Sequence, residues 1–413
     1  MRIGRVVCSV GHAGFFADDQ AAIKAGAPHD GFLYRGEPVT HGFTQIRHPG
    51  RALSVMLVLE DGQVAHGDCA SVQYPGVGGR EPLFDPRAAQ QIVEFEVAPR
   101  LIGRDATYEL VGEVDAYELP VPVRYGVSQA LLDATAKAQR RTMAEVVRSA
   151  HDTGVSFAPL PIYAQSGDLR YENVDKMILR GVGVLPHGLI NNVADKLGAD
   201  GGRLLDYVRW VRNRILALRT DPAYAPVLHF DVYGTIGLVF GDDTAGIVAY
   251  LAVLEEAAAP FSLRVEQPVH ADSQDEQVEW LVELRARLAA SGVDVGIVAD
   301  EWCNTLEDIA RFVEAGAADM IQVKTPDLGG VRQIAEALLL CRSRGVGAFC
   351  GGSSSETDRS AQVCTHIAMA CGADQILAKP GMGVDEGYMV VFNEMHRILA
   401  LAGPDAVGAH VAI

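Results

Sequence analysis

After residue 160 the chain alternates short apolar runs with longer stretches of helical spacing. Runs at 161–164, 184–185, 228–231, 263–266, 296–300, 319–324, 346–350 and 375–378 read as strands. Between them, 204–218, 245–259, 277–290, 305–315 and 331–344 place apolar residues on one helical face. That is about eight strand–helix steps in about 250 residues, the usual size of a (β/α)8 barrel. The first 160 residues follow another rhythm. Ser54–Glu60 and Gln63–Cys69 flank Asp61-Gly62, which predicts a hairpin closed by a tight type I′ turn. Helical spacing with few breakers predicts a helix over 127–150. The pattern therefore predicts an α/β chain of two domains: a small α+β domain over 1–160 and a (β/α)8-type barrel over 161–413.

Composition narrows the class. The chain has 413 residues, 49% of them hydrophobic and 21% charged, enough for a large buried core and too long for one ordinary domain. A net charge of −18 argues against nucleic acid or an acidic membrane surface as partner. It leaves room for a local cationic pocket. The seven cysteines form no CxxC pair and no cluster with zinc spacing, which predicts free thiols in a reducing compartment. No apolar stretch approaches the ~18–20 residues of a membrane span, and the N-terminus lacks a signal-peptide core. A cytoplasmic protein is expected.

The ends of the apolar runs carry the chemistry. Four of them close on Asp231, Glu266, Asp300 and Lys324, with gaps of 35, 34 and 24 residues. Each gap holds one helix and two loops, and a polar residue ending a barrel strand sits on the active-site face. Three carboxylates brought together that way repel one another unless a cation lies between them. Oxygen ligands with no His or Cys favour Mg²⁺ or Mn²⁺ over Zn²⁺. Taken singly, each carboxylate is as readily a helix cap or an arginine partner. Beside a metal ion, Lys324 is pushed toward its neutral form and can serve as a base. Gln322 lies on the same strand face and can bind a substrate carboxylate or fill a barrel layer. Gln165 follows another run and can offer an amide to a polar ligand. His187 ends a further run, where a structural role is the plain reading. The Gly351-Gly352-Ser353-Ser354-Ser355-Glu356 loop precedes a helix and suits a carboxylate or phosphate.

Longer strings carry a resemblance. Asp231-Val232-Tyr233-Gly234-Thr235-Ile236-Gly237, Ala299-Asp300-Glu301-Trp302-Cys303-Asn304-Thr305, Lys324-Thr325-Pro326-Asp327-Leu328-Gly329-Gly330 and the run from Leu377-Ala378-Lys379-Pro380 to Gly387 resemble the methylaspartate ammonia-lyases of the enolase superfamily. Val72-Gln73-Tyr74 and Arg124-Tyr125-Gly126 extend the likeness into the front half. The resemblance implies the enolase-superfamily fold, with residues 1–160 as a capping domain over the barrel. It implies Mg²⁺ on Asp231, Glu266 and Asp300, with Mn²⁺ as substitute and a monovalent cation such as K⁺ as helper. It makes Lys324 the base that takes the C3 proton of (2S,3S)-3-methylaspartate, through an aci-carboxylate intermediate, so that ammonia leaves and mesaconate forms reversibly. His187 would contact the carboxylate next to C3 and act as base for the other C3 epimer. Gln73, Gln165, Gln322 and Ser353 would bind substrate carboxylates, and Tyr163, Phe349 and Leu377 would wall the pocket near the methyl and amino groups. A small dicarboxylate amino acid and a second copy of the chain, as a homodimer, are the partners it implies. One departure stands out: Ser353-Ser354 occupies a place where the family pattern has threonine then cysteine. Ser354 thereby puts an O–H donor where a weaker S–H would be. Other chemistry of the same superfamily (dehydration, racemisation, epimerisation) would use the same metal triad, and a silent barrel serving as a scaffold is the remaining reading.

Overall fold

Three antiparallel strands lead the chain: β1 (Ile3–Asp18), β2 (Arg47–Leu59) and β3 (Val64–Cys69), in the order β1-β2-β3. The computed structural model describes residues 1–241 and 243–402. The hairpin expected at 54–69 is β2–β3, but its turn is not type I′. Gly62 donates to the Leu59 carbonyl at 2.9 Å and has φ +86°, while Asp61 is not among the positive-φ residues. A type I′ turn needs positive φ at both central positions, so this is a wider loop closed by one left-handed glycine. The sequence pattern did not single out β1. Gly4, Gly11 and Gly14 interrupt it, and register shifts at Ile3/Arg5 and His12/Phe16 erase any clean alternation.

The helix expected over 127–150 is two helices, Val121–Gln139 and Met143–Ala150. Arg140 turns left-handed at φ 55° and ends the first. Thr142 starts the second with a capping box: its hydroxyl accepts from the Glu145 N–H, and the Glu145 carboxylate accepts from the Thr142 N–H. The T-x-x-E signature is visible in the sequence, and it overrides the continuous apolar spacing.

Eight parallel strands then close a barrel: β4 (Ile162–Tyr163), β5 (Val184–His187), β6 (Val227–Asp231), β7 (Leu263–Glu266), β8 (Val295–Ala299), β9 (Met320–Val323), β10 (Gly347–Cys350) and β11 (Gln375–Leu377). Each pairs in parallel with the next, and β11 pairs with β4. All eight predicted runs are strands, and the five predicted helices form within a few residues of their expected ends. Three barrel helices of ten or more residues were not predicted: Arg170–Leu179, Asp358–Cys371 and Glu386–Leu401. Asp358–Cys371 packs between the helices Met143–Ala150 and Glu386–Leu401 and is buried almost all round, so it has no polar face to set a period. No helix among the described residues is long and apolar enough to cross a membrane. All seven cysteines are free.

One large core runs from the cap sheet into the layer between barrel and helices. A separate small cluster fills the barrel interior: Tyr163, Val184, Val298, Met320, Phe349 and Leu377. It forms a floor under whatever sits at the carboxyl ends of the strands.

Candidate active site

Strand register brings the metal candidates together. Asp231 on β6 lies directly across from Glu266 on β7, and Glu266 pairs with Val298 on β8, two residues before Asp300. Asp231, Glu266 and Asp300 each place a carboxylate oxygen within 4.8 Å of the others, and all three are buried. Burial first, and then Asp300 and Glu301, push the Asp231 carboxyl far above the ordinary carboxylate range. Glu266 is pushed up the same way, by burial and then by Asp231 and Asp300. Charges held this close in a dry pocket call for a cation. The donor set is all oxygen, which fits a hard divalent ion of the Mg²⁺ type. Glu266 has capacity to spare: its Oε2 has no hydrogen-bond partner. His229 Nε2 comes within 2.9 Å of that oxygen, but the ring N–H does not line up with it.

The turns that follow these strands are strained. His187, Tyr233, Gln267 and Trp302 all carry positive φ, between 50° and 68°. Such conformations cost about 1–3 kcal/mol each in a non-glycine residue and tend to gather at functional sites. Here the strain aims ligands. Tyr233 donates its N–H to Asp231 Oδ1 at 3.1 Å. The fully buried Gln267 accepts from the N–H groups of both Asp300 and Glu301, each at 3.2 Å.

Lys324 ends the apolar run of β9 and reaches Asp300, with Nζ 2.6 Å from Oδ1 and 2.8 Å from Oδ2. Burial and Arg80 work against its charge, but Asp300, Glu301 and Asp327 outweigh them and hold its pKa above the usual lysine value. Arg80, from a loop of the cap, donates to Asp327 at 2.7 Å and lies 3.5 Å from Asp300. Its side chain is 2% exposed, so the cap contributes a permanent buried cation.

His187 ends β5 on the other side of the triad, with Nε2 3.5 Å from Asp231 Oδ2. Burial depresses its pKa to about 3, so the ring is neutral at ordinary pH. The Leu189 N–H donates to its Nδ1 at 3.3 Å, which leaves the proton on Nε2, the edge that faces the pocket.

A small pocket lies between cap and barrel. It brings together every candidate from the sequence except Glu266, which lies beneath its floor. Tyr163, Phe349 and Leu377 line one wall. Gln322 donates to Glu266 Oε1 and has its own Oε1 unpartnered. Gln165 makes only a long contact to the Ala378 carbonyl at 3.4 Å. The Ser353 hydroxyl accepts from the Gln73 N–H at 2.8 Å, which joins cap to barrel. Ser354 donates to Gln73 Oε1 at 3.2 Å, and Gln73 donates to Asp18 Oδ2 at 3.0 Å.

Four residues at the site were not singled out from the sequence. Arg80 and Glu301 line the pocket and carry charge, and Tyr233 adds an aromatic edge. His229 stacks on Tyr163 at 4.2 Å beneath the triad. Glu301 adjoins Asp300, and His229 sits two residues before Asp231 on the same strand face, so both had a positional signal. Arg80 had none.

Comparison with known proteins agrees with this geometry. The family model described as methylaspartate ammonia-lyase N-terminus matches residues 1–152, and the one described as methylaspartate ammonia-lyase C-terminus matches 154–403. The methylaspartate ammonia-lyase of Clostridium tetanomorphum is 54% identical over 98% of this chain and 99% of its own. A crystal structure of that β-methylaspartase as a Mg complex superimposes with a TM-score of 0.92, covering 97% of this chain and 99% of the other. The Citrobacter amalonaticus methylaspartate ammonia lyase containing (2S,3S)-3-methylaspartic acid gives a TM-score of 0.95 at 48% identity, covering 97% and 99%. At 17% identity, the L-Ala-D/L-Glu epimerase of Bacillus subtilis shares the fold with a TM-score of 0.64. The chain belongs to the methylaspartate ammonia-lyase family of carbon–nitrogen lyases, built on a capped eight-stranded barrel.

Proposed function

We propose that the protein eliminates ammonia from (2S,3S)-3-methylaspartate to give mesaconate, reversibly and with Mg²⁺. One observation carries this reading: a buried carboxylate triad has Lys324 on one flank and a neutral His187 on the other. Asp231, Glu266 and Asp300 would hold the ion, with Mn²⁺ as substitute and K⁺ as an added monovalent helper. When bound, Mg²⁺ neutralises the charge that grows on the carboxylate next to C3. A lysine or histidine base beside Mg²⁺ is the general pattern known for enolase-superfamily sites.

This chain's residues supply the rest. Lys324, neutral once a cation on the triad offsets the carboxylates that hold its charge, takes the C3 proton, the C3–H electron pair becomes the C2–C3 double bond, and the C2–N bond breaks to release ammonia. His187, protonated at Nε2, donates to the carboxylate that gains charge. To act as base toward the (2S,3R) epimer, it must present a bare Nε2 instead. Gln73, Gln165, Gln322, Ser353 and Ser354 offer amide and hydroxyl partners to the two carboxylates of a small dicarboxylate substrate. Tyr163, Phe349 and Leu377 limit the space beside C3 and keep water away.

We take residues 1–160 as the cap and 161–413 as the barrel, of which 403–413 lie outside the described residues. Free thiols support a reducing, cytoplasmic setting. A homodimer is the proposed assembly, on analogy alone. The deciding experiment follows the absorbance of the unsaturated product from 3-methylaspartate with Mg²⁺, with and without chelator. Turnover that stops with chelator and returns with Mg²⁺ supports the reading. Absent turnover, or turnover indifferent to chelator, overturns it.

A further inference from the structure

Behind the Ser353 loop lies a second buried charged cluster that the reaction does not use directly. We propose that Lys379 and Glu356 are positioning residues: their ion pair clamps the segment after Lys324, the Ser353 loop and the cap helix Val121–Gln139 into one catalytic geometry. The proposal rests on the functional reading above for what that geometry does.

Both side chains are fully buried. Lys379 has three N–H donors and three acceptors: Thr325 Oγ1 at 2.7 Å, the Gly351 carbonyl at 2.8 Å and Glu356 Oε1 at 2.8 Å. Glu356 is equally committed. Its Oε1 also accepts from the Ser353 N–H at 2.9 Å, and its Oε2 accepts from the Tyr125 hydroxyl at 2.6 Å. Tyr125 lies on the cap helix, and its hydroxyl stands 3.2 Å from Thr325 Oγ1. The Glu356 carbonyl accepts from Gly14 on β1 at 2.7 Å, a further tie to the cap.

Two of the clamped segments carry the site. Thr325 is the residue after Lys324, and the Gly351 carbonyl opens the loop that presents Ser353 and Ser354. Gly352 shows how tightly the loop is drawn over the pair. It has φ +145°, and a Cβ there would lie 2.2 Å from Glu356 Oε1 and 2.3 Å from Lys379 Nζ. That glycine answers to the ion pair, whatever ligand the loop meets. A buried pair is weak evidence for stability, since its desolvation opposes its attraction. A pair with every donor and acceptor filled, tying two active-site segments to the cap helix, is better suited to fixing geometry.

Thr325 gives the test, because Thr325→Val keeps shape and loses only the hydroxyl that Lys379 and Tyr125 share, while Thr325→Ser keeps the hydroxyl. With 3-methylaspartate and saturating Mg²⁺, Thr325→Val should lose about ten- to a hundredfold in kcat, as small misplacements of catalytic groups do. Its Mg²⁺ affinity by calorimetry should not change, and Thr325→Ser should stay close to the parent. Equal kcat in the valine and serine variants would overturn the proposal. Should the valine variant not fold, Tyr125→Phe makes the same cut from the cap side and is read the same way. Hydrogen exchange on protein free of metal and substrate gives a readout independent of turnover. Exchange should quicken over 325–329 and 351–355 and not elsewhere in either variant. Unchanged exchange there would overturn the clamp, whereas a parent without lyase activity would overturn only the functional reading.

Discussion

Two buried charged clusters sit side by side at the carboxyl ends of the barrel strands, and they are finished to different degrees. Around Glu356 and Lys379 each donor meets an acceptor and the two charges cancel. Around Asp231, Glu266 and Asp300 the carboxylates outnumber the cations, and Glu266 Oε2, Glu301 Oε2 and Gln322 Oε1 have no partners. An unsatisfied buried polar atom costs about 1–3 kcal/mol, more for a charged group. A fold that closes one cluster completely has the means to close its neighbour. The open one is therefore the place where something else binds, and the closed one is the frame that holds it.

The sharpest way to break this contrast is to remove the group that moves the proton. Lys324→Ala should reduce turnover of the (2S,3S) substrate by about 10²–10⁴-fold, the range for a lost acid–base group. Circular dichroism and thermal melting should still report a folded protein, since Lys324 is a partner of the open cluster and not of the frame. Parent-like kcat in a folded Lys324→Ala protein would take the base role away from it.

Next comes the ligand set. Loss of a residue that merely supports a metal ligand costs about 10–100-fold in metal affinity or activity, so loss of a ligand should cost at least that much. Asp300→Asn keeps the shape and removes the charge. Its Mg²⁺ requirement, read as the concentration for half-maximal rate and by calorimetry, should rise accordingly. An unchanged requirement would reduce Asp300 to an ion-pair partner of Lys324 and Arg80.

His187→Ala tests whether the two flanks of the open cluster are interchangeable. Loss should appear on both epimers, because the Nε2–H donor is gone from the substrate carboxylate. The (2S,3R) epimer should suffer more if, as proposed, its C3 proton is taken by His187 and not by Lys324. The quantity to compare is the ratio of kcat/KM for the two epimers, variant against parent. A ratio that stays put would confine His187 to donating a hydrogen bond.

How much of this was legible in the sequence follows from the same contrast. Asp231, Glu266, Asp300 and Lys324 each close an apolar run, so strand periodicity pointed at them one by one. The closed cluster gave no such signal. Glu356 sits in a glycine–serine loop and Lys379 precedes a proline, where a charged residue reads as solvated surface. Their burial depends on Tyr125, more than 200 positions away, and no local pattern encodes a contact of that separation. The cap was hard to read for the same reason. Arg80 lies in a glycine-rich loop with no period, and β1 is broken by glycines and bulges. Barrel strands were clear because each is a short run buried on both faces. Asp358–Cys371 is buried on almost every side, with Ser360, Thr365 and His366 among its buried residues, so it offered no amphipathic stripe to find.

The smallest effect expected is at the seam between cap and open cluster. Ser354 donates to Gln73 Oε1 at 3.2 Å, and Gln73 in turn donates to Asp18, which two bonds from Arg47 hold in place at 2.7 and 2.8 Å. The Gln73 amide is thereby fixed with its oxygen toward the barrel and its nitrogen toward the cap. Ser354→Cys would leave the group's position but weaken its donor. A neutral hydrogen bond contributes about 0.5–1.5 kcal/mol net, so its weakening should shift KM for 3-methylaspartate by no more than about tenfold. Proton abstraction at Lys324 lies outside this chain of contacts, so kcat on the (2S,3S) epimer should stay close to the parent value. The test is therefore the split between KM and kcat in Ser354→Cys. A fall in kcat with KM unchanged would place Ser354 in the proton-transfer step, and the seam would then belong to the catalytic cluster and not to its frame.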